Sequence, residues 1–123
     1  MRKSSAVNNL SPVSGEMAAA RDPILADIVG RLIAAYQPES IYLFGSKARG
    51  DDGLDSDYDV MVIVPDSAPP ELRRSAAGYR ALRGTGVAVD VLVWPRQLFE
   101  ERSHLRSSLP YTVLQEGRLL YGA

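Results

Sequence analysis

The sequence predicts an α/β (α+β) domain built as a small β-sheet with helices packed on it. Three observations predict it: an amphipathic helical segment near the start, short unbroken apolar runs of β-forming residues, and an element order reading α-β-β-α-β-α-α-β. At 123 residues the chain has the length of one domain, large enough for a core and too short for two.

The first helix opens at Asp22-Pro23, because an aspartate side chain accepts from free N–H groups and proline tolerates the first helical position. Ile24, Leu25, Ile28, Val29, Leu32, Ile33 and Tyr36 then recur along one face, and Pro38 stops the run. "SIYLF" (40–44) and "DVMVIV" (59–64) read as strands ending at Gly45 and Pro65, and unbroken apolar strands of this kind belong in the middle of a covered sheet. "PDSAPPE" is a loop, residues 71–83 a moderately amphipathic helix closed by "GTG", and "VAVDVLVW" (87–94) a strand with Asp90 in its middle. Pro95 opens a polar helical segment, "YTVLQEG" is a short helix capped by Gly117, and "RLLYG" is a last short strand. Residues 22–123 form the single domain in this reading. Residues 1–21 are expected to be a flexible arm: the start is basic, but Ser, Asn and Pro stand where a secretory signal has its apolar region, and Met17 is a second candidate start.

Composition narrows the chemistry. A net charge of −1 excludes a protein that coats nucleic acid by electrostatics alone, and no apolar run approaches the roughly 18 residues of a membrane span. The absence of cysteine removes disulfides, thiolate metal sites and a cysteine nucleophile together. A single histidine, His104 on a polar segment, argues against a multi-histidine zinc centre. A cytoplasmic location follows by default.

The chemistry concentrates in "LFGSKARGDDGLDSDYDVMVIV", where a glycine-bounded basic turn precedes a cluster of carboxylates at the mouth of a strand. Gly45 to Gly50 has the spacing of a P-loop, but Asp51 and Asp52 stand where Lys and Ser/Thr are required. Asp55, Asp57 and Asp59 alternate as in a calcium EF-hand loop, yet Val60 occupies the turn-glycine position and Asp66 that of the bidentate glutamate. A third reading accounts for more of the stretch. Residues two apart share a strand face, so Asp57 and Asp59 can aim at one spot and hold a hard divalent cation, whereas Asp51, Asp52 and Asp55 belong to an exposed loop. Asp90, a charge in an apolar strand, needs a partner, which a shared metal supplies or, in a purely structural role, an arginine. Gly45 and Ser46 stand where a strand turns into a short helical segment that can cradle a phosphate, with Lys47 and Arg49 adding positive charge.

"GSKARG" followed by "SDYD" resembles the Gly-Ser…Asp-x-Asp signature of the DNA polymerase β-like nucleotidyltransferase superfamily. The short length, "VDVLVW" and the terminal "LQEGRLLYG" resemble its minimal nucleotidyltransferase (MNT) branch. The resemblance implies a mixed sheet carrying three acids, here Asp57, Asp59 and Asp90, that bind a pair of Mg²⁺ ions and catalyse transfer of a nucleoside monophosphate, AMP from ATP or another NTP, to a hydroxyl. It implies nucleotide contacts at Gly45, Ser46, Lys47 and Arg49. It also implies a partner, since MNT proteins act as antitoxins that adenylylate a small helical HEPN toxin. Arg49 serves equally as a phosphate contact or as a salt bridge holding an aspartate. Two other functions compete: a catalytically idle antitoxin acting by contact, and a small-molecule nucleotidyltransferase of the aminoglycoside-modifying kind. Homo- and hetero-oligomers are both open.

Overall fold

The structure, a computed structural model, describes residues 22–50 and 57–122. The expected N-terminal arm (1–21) and the Asp51, Asp52 and Asp55 loop lie outside them. Helix α1 (Pro23–Tyr36) leads into β1 (Ser40–Phe44), the short α2 (Gly45–Arg49) and β2 (Tyr58–Val64). A 3₁₀ turn (Pro70–Arg73) and α3 (Ala76–Ala81) connect to β3 (Val89–Pro95), followed by α4 (Arg96–Arg102), α5 (Leu109–Glu116) and β4 (Arg118–Gly122). The four strands form one mixed sheet in the order β3-β2-β1-β4, with β2 antiparallel to β1 and parallel to β3.

Alternation along the strands sorts the core into two layers. Ile41, Leu43, Val60, Val62, Val64 and Val91 face α1 and its Leu25, Ile28, Leu32 and Tyr36. Met61 and Ile63 face the other way, against Phe99 of α4 and Val113 of α5, with Tyr42 stacked on Phe99 at 5.8 Å between ring centroids. The expected α1 cap is present: Asp22 Oδ1 accepts from the N–H groups of Ile24 and Leu25 at 3.0 and 3.1 Å. The helix ends at Gln37, whose left-handed φ of 48° turns the chain before Pro38. Ile24, assigned above to the buried face, is exposed. Among the described residues no helix is long and apolar enough to cross a membrane.

The single helix expected over 71–83 is instead two pieces separated at an extended Arg74 (φ −117°, ψ 153°). Tertiary contacts account for the break. The buried Tyr36 hydroxyl donates to the Arg74 carbonyl at 2.5 Å and accepts from the Gly78 N–H at 2.7 Å, so both groups serve α1 rather than a continuous helix. Gly78 admits this approach, since a Cβ there would stand 2.9 Å from Val91 Cγ1 and 3.0 Å from the Tyr36 hydroxyl. Arg31 of α1 secures the far end of α3 by donating to the carbonyls of Ala81 and Arg83, each at 3.0 Å. Burial pushes the Tyr36 phenol up, which keeps it a neutral donor and acceptor. Tyr36→Phe leaves a buried N–H and a carbonyl unpaired and is expected to cost about 1–3 kcal/mol of stability. Urea unfolding of the variant checks this, and an unchanged midpoint would remove the hydroxyl from the account of the break.

Candidate active site

The expected phosphate-facing turn forms where β1 ends. Gly45 takes a φ of +74° and begins α2, and Gly50 closes that helix at a φ of +81° with its N–H donating to the Ser46 carbonyl at 2.9 Å. Gly45 is constrained twice over: its backbone favours glycine, and a Cβ would collide with Asp59 Oδ2 and stand 3.1 Å from Asp59 Cγ. The register explains the proximity, because Phe44, the residue before the turn, pairs with Asp59.

The parallel register then sets Asp59 beside Asp90. Burial pushes the Asp59 carboxyl above the usual carboxylate range, Asp90 and then Asp57 push it the same way by like charge, and Arg49 opposes them. Asp57 is exposed at the strand mouth. The structure thus gathers Asp59, Asp90 and Asp57 electrostatically around the end of β1.

Asp90 departs from its expected setting. The strand starts at Val89 rather than Val87 and lies at the sheet edge, so Asp90 is its second residue and is exposed. No burial penalty compels a partner for it; its importance comes from the pairing with Asp59. Lys47 packs on an aromatic ring. Its ammonium stands 4.5 Å from the Tyr58 ring centroid, and Tyr58 packs in the α1-side core, the opposite sheet face from Asp59. Lys47 lines a cleft of about 240 Å³ with Asp22, Tyr58 and Arg118.

Arg49 reaches Glu116 at the end of α5, with 3.6 Å between Nη1 and Oε1. Glu116 was not a candidate from the sequence, and the only signal for it was its place before Gly117. That glycine seats α5 against β1: a Cβ there would fall 2.8 Å from the Leu43 carbonyl oxygen and 2.5 Å from that of Val113.

Among the described residues, no group of three or more His, Cys, Asp or Glu is arranged to hold a metal ion. The donors still fit a hard divalent cation in kind. They are carboxylate oxygens, and burial, with like charge from Asp90 and Asp57 behind it, raises the Asp59 carboxyl, a cost that a cation beside it would offset.

The family model described as "Nucleotidyltransferase domain" matches residues 25–120, most of the chain and the whole of this arrangement. The chain belongs to the nucleotidyltransferase domain family. Solved structures share the fold of this nucleotidyltransferase. A candidate nucleotidyltransferase from Sulfolobus solfataricus is 20% identical, with a TM-score of 0.55 over 96% of this chain and 93% of that one. A toxin–antitoxin structure with AMP-PNP is 24% identical, with a TM-score of 0.52 over 79% and 73%. An aspartate-to-glutamate double mutant of the MntA–HpeT toxin–antitoxin is 22% identical, with a TM-score of 0.50 over 77% and 71%. No curated protein matches the chain.

Asp59 makes a pH prediction. A carboxyl raised in the fold lets the unfolded chain ionise first, so its contribution to stability is full below the unfolded value near 3.8 and is lost as pH rises through the folded one. At neutral pH the nucleotidyltransferase therefore bears the whole penalty. Asp59→Asn is expected to melt higher than the parent at pH 7, and the gain should vanish as the pH falls to about 3.8. Thermal unfolding across that range checks it, and an equal or lower melting temperature at pH 7 contradicts the crowding. Gly45→Ala forces both a left-handed alanine and a collision with Asp59. It is expected to lose at least about 1 kcal/mol on backbone grounds alone, and more if Asp59 cannot move aside.

Proposed function

We propose that this nucleotidyltransferase transfers AMP from ATP to a hydroxyl on a partner protein, with Mg²⁺, and acts in the cytoplasm as the antitoxin of a HEPN-type toxin. The carrying observation is the pairing of Asp59 with Asp90 beside the Gly45 turn, which places an acidic cluster next to backbone suited to phosphate. Asp57, Asp59 and Asp90 would hold Mg²⁺, which on binding supplies charge neutralisation for a triphosphate and its leaving group. Gly45, Ser46 and Arg49 are assigned to the triphosphate: the first N–H groups of α2 have no partners within the helix, and the Ser46 hydroxyl and Arg49 guanidinium add donors. Lys47, seated on Tyr58, is left out of the contact set.

The exposure that removes the burial argument for Asp90 supports its role. An edge-strand carboxylate can be reached by a hydroxyl from another molecule, while Asp59 beside it is partly shielded. Asp90 is assigned as the base that orients this hydroxyl and takes its proton. The hydroxyl oxygen bonds to the α-phosphorus, the bond from that phosphorus to the bridging oxygen breaks, and pyrophosphate leaves with the electron pair. The two toxin–antitoxin neighbours support the kind of partner. One of them carries its two aspartate substitutions two positions apart, the spacing of Asp57 and Asp59.

Asp90→Asn tests the assignment, because it keeps the shape and removes the base. The variant is expected to bind Mg-ATP within a few-fold of the parent, yet to transfer at least about 100-fold more slowly. Labelled ATP with the co-purified partner, followed by the intact masses of both chains, reads the transfer and identifies the acceptor. Full activity would make Asp90 structural. Lost transfer with undiminished protection of cells from the partner would establish an antitoxin that works by contact.

A further inference from the structure

We propose that Glu116 is a positioning residue that anchors Arg49 beside the Gly45 turn, so that the guanidinium meets the nucleotide's phosphates instead of folding onto Asp59. The inference rests on the nucleotidyltransfer reading of the site and adds to it a residue from the far end of the chain.

Three features converge on it. Arg49 ends a helix that begins at Gly45, directly against the Asp59 carboxylate. A guanidinium folded onto Asp59 would compete with a divalent cation for the same oxygens. Glu116 supplies a second carboxylate, 3.6 Å from Arg49 Nη1. Its place is set by backbone: α5 ends at Gly117, which packs against the Leu43 carbonyl two residues before the turn, and no side chain could occupy that spot without displacing α5. The Glu116 backbone is therefore held beside the end of β1.

The pair contributes orientation more than stability. Both side chains are nearly half exposed, 45% for Arg49 and 47% for Glu116, and ion pairs in such settings are weak. A guanidinium carries five donors in a planar fork, so one edge can engage a carboxylate while another serves a phosphate. Removing the anchor is thus expected to affect nucleotide affinity without unfolding the chain or changing the base.

The experiment combines a nucleotide-free readout with a binding cycle. The ¹⁵N order parameter of Arg49 Nε, assigned by comparison with Arg49→Ala, is measured without nucleotide in the parent and in Glu116→Gln. Calorimetry then gives the Mg-ATP dissociation constant of the parent, both single variants and the double variant. Glu116→Gln is expected to loosen Arg49 Nε and to weaken Mg-ATP binding by about 2–5-fold, the scale of a half-exposed ion pair. In the Arg49→Ala background it should add nothing, and kcat with saturating nucleotide should be unchanged. An unaltered Arg49 signal, or a loss of affinity that persists in Arg49→Ala, overturns the positioning role. A parent that binds no Mg-ATP overturns the nucleotidyltransfer reading itself, and the nucleotide-free signal still decides whether Glu116 holds Arg49.

Discussion

Parallel pairing of β2 with β3 places Asp59 next to Asp90, and the organisation of the site depends on that repulsive contact. Like charges side by side on adjacent strands oppose pairing. Here they stand on a strand pair whose next residues, Val60 and Val91, are buried in the core. The apolar rows below hold the register while the acids crowd at the rim. A slip of one residue would separate Asp59 from Asp90, but it would also turn the valines out of the core, so the core enforces a contact that the acids alone would avoid.

The stabilising contacts lie away from the rim. Tyr36 bridges the break before α3, Arg31 holds the end of that helix, and Asp66 Oδ1 accepts from the Gln97 N–H at 3.0 Å to cap α4, which lacks a side-chain cap of its own. These bonds fasten the connection between β2 and β3, and with it the phase of Asp90 relative to Asp59. None of them touches the acids, so a site of mutually repelling groups is mounted on a frame secured elsewhere.

Much of this was legible in the sequence, for reasons that differ by element. Asp22-Pro23 and the apolar spacing after it specify α1 locally, and the strands at 40–44 and 118–122 have the expected bounds because Pro38, Gly45, Gly117 and Gly122 punctuate them. The mixed α/β architecture follows from the same order of elements. The broken helix at 71–83 was not legible, because its cause is a tyrosine side chain about 40 residues earlier in the chain, and local propensity carries no record of such a contact. The edge position of β3 was hidden for a similar reason: "VAVDVLVW" is as apolar as a central strand, and its outer neighbour is decided by topology. Alternation predicted that Asp57 and Asp59 share a face, and the same rule sends the intervening Tyr58, with Lys47 on its ring, to the other side. Glu116 was invisible because the pairing that brings it to Arg49 joins elements far apart in the chain.

The arrangement around Gly45 shows how a small sheet brings backbone donors close to carboxylates. A positive φ turns the chain sharply at the end of β1, so α2 starts within contact of a carboxylate on the neighbouring strand. Backbone donors and carboxylate acceptors, which would ordinarily satisfy one another or water, are thereby set close together on separate elements. In the proposed reading, a triphosphate with its cation would complement both sides of that gap at once, the oxygens meeting the donors and the cation meeting the acids. Either component alone would leave one side uncompensated. In the proposed reading, the turn and the strand register would favour the cation–nucleotide complex over its separate parts.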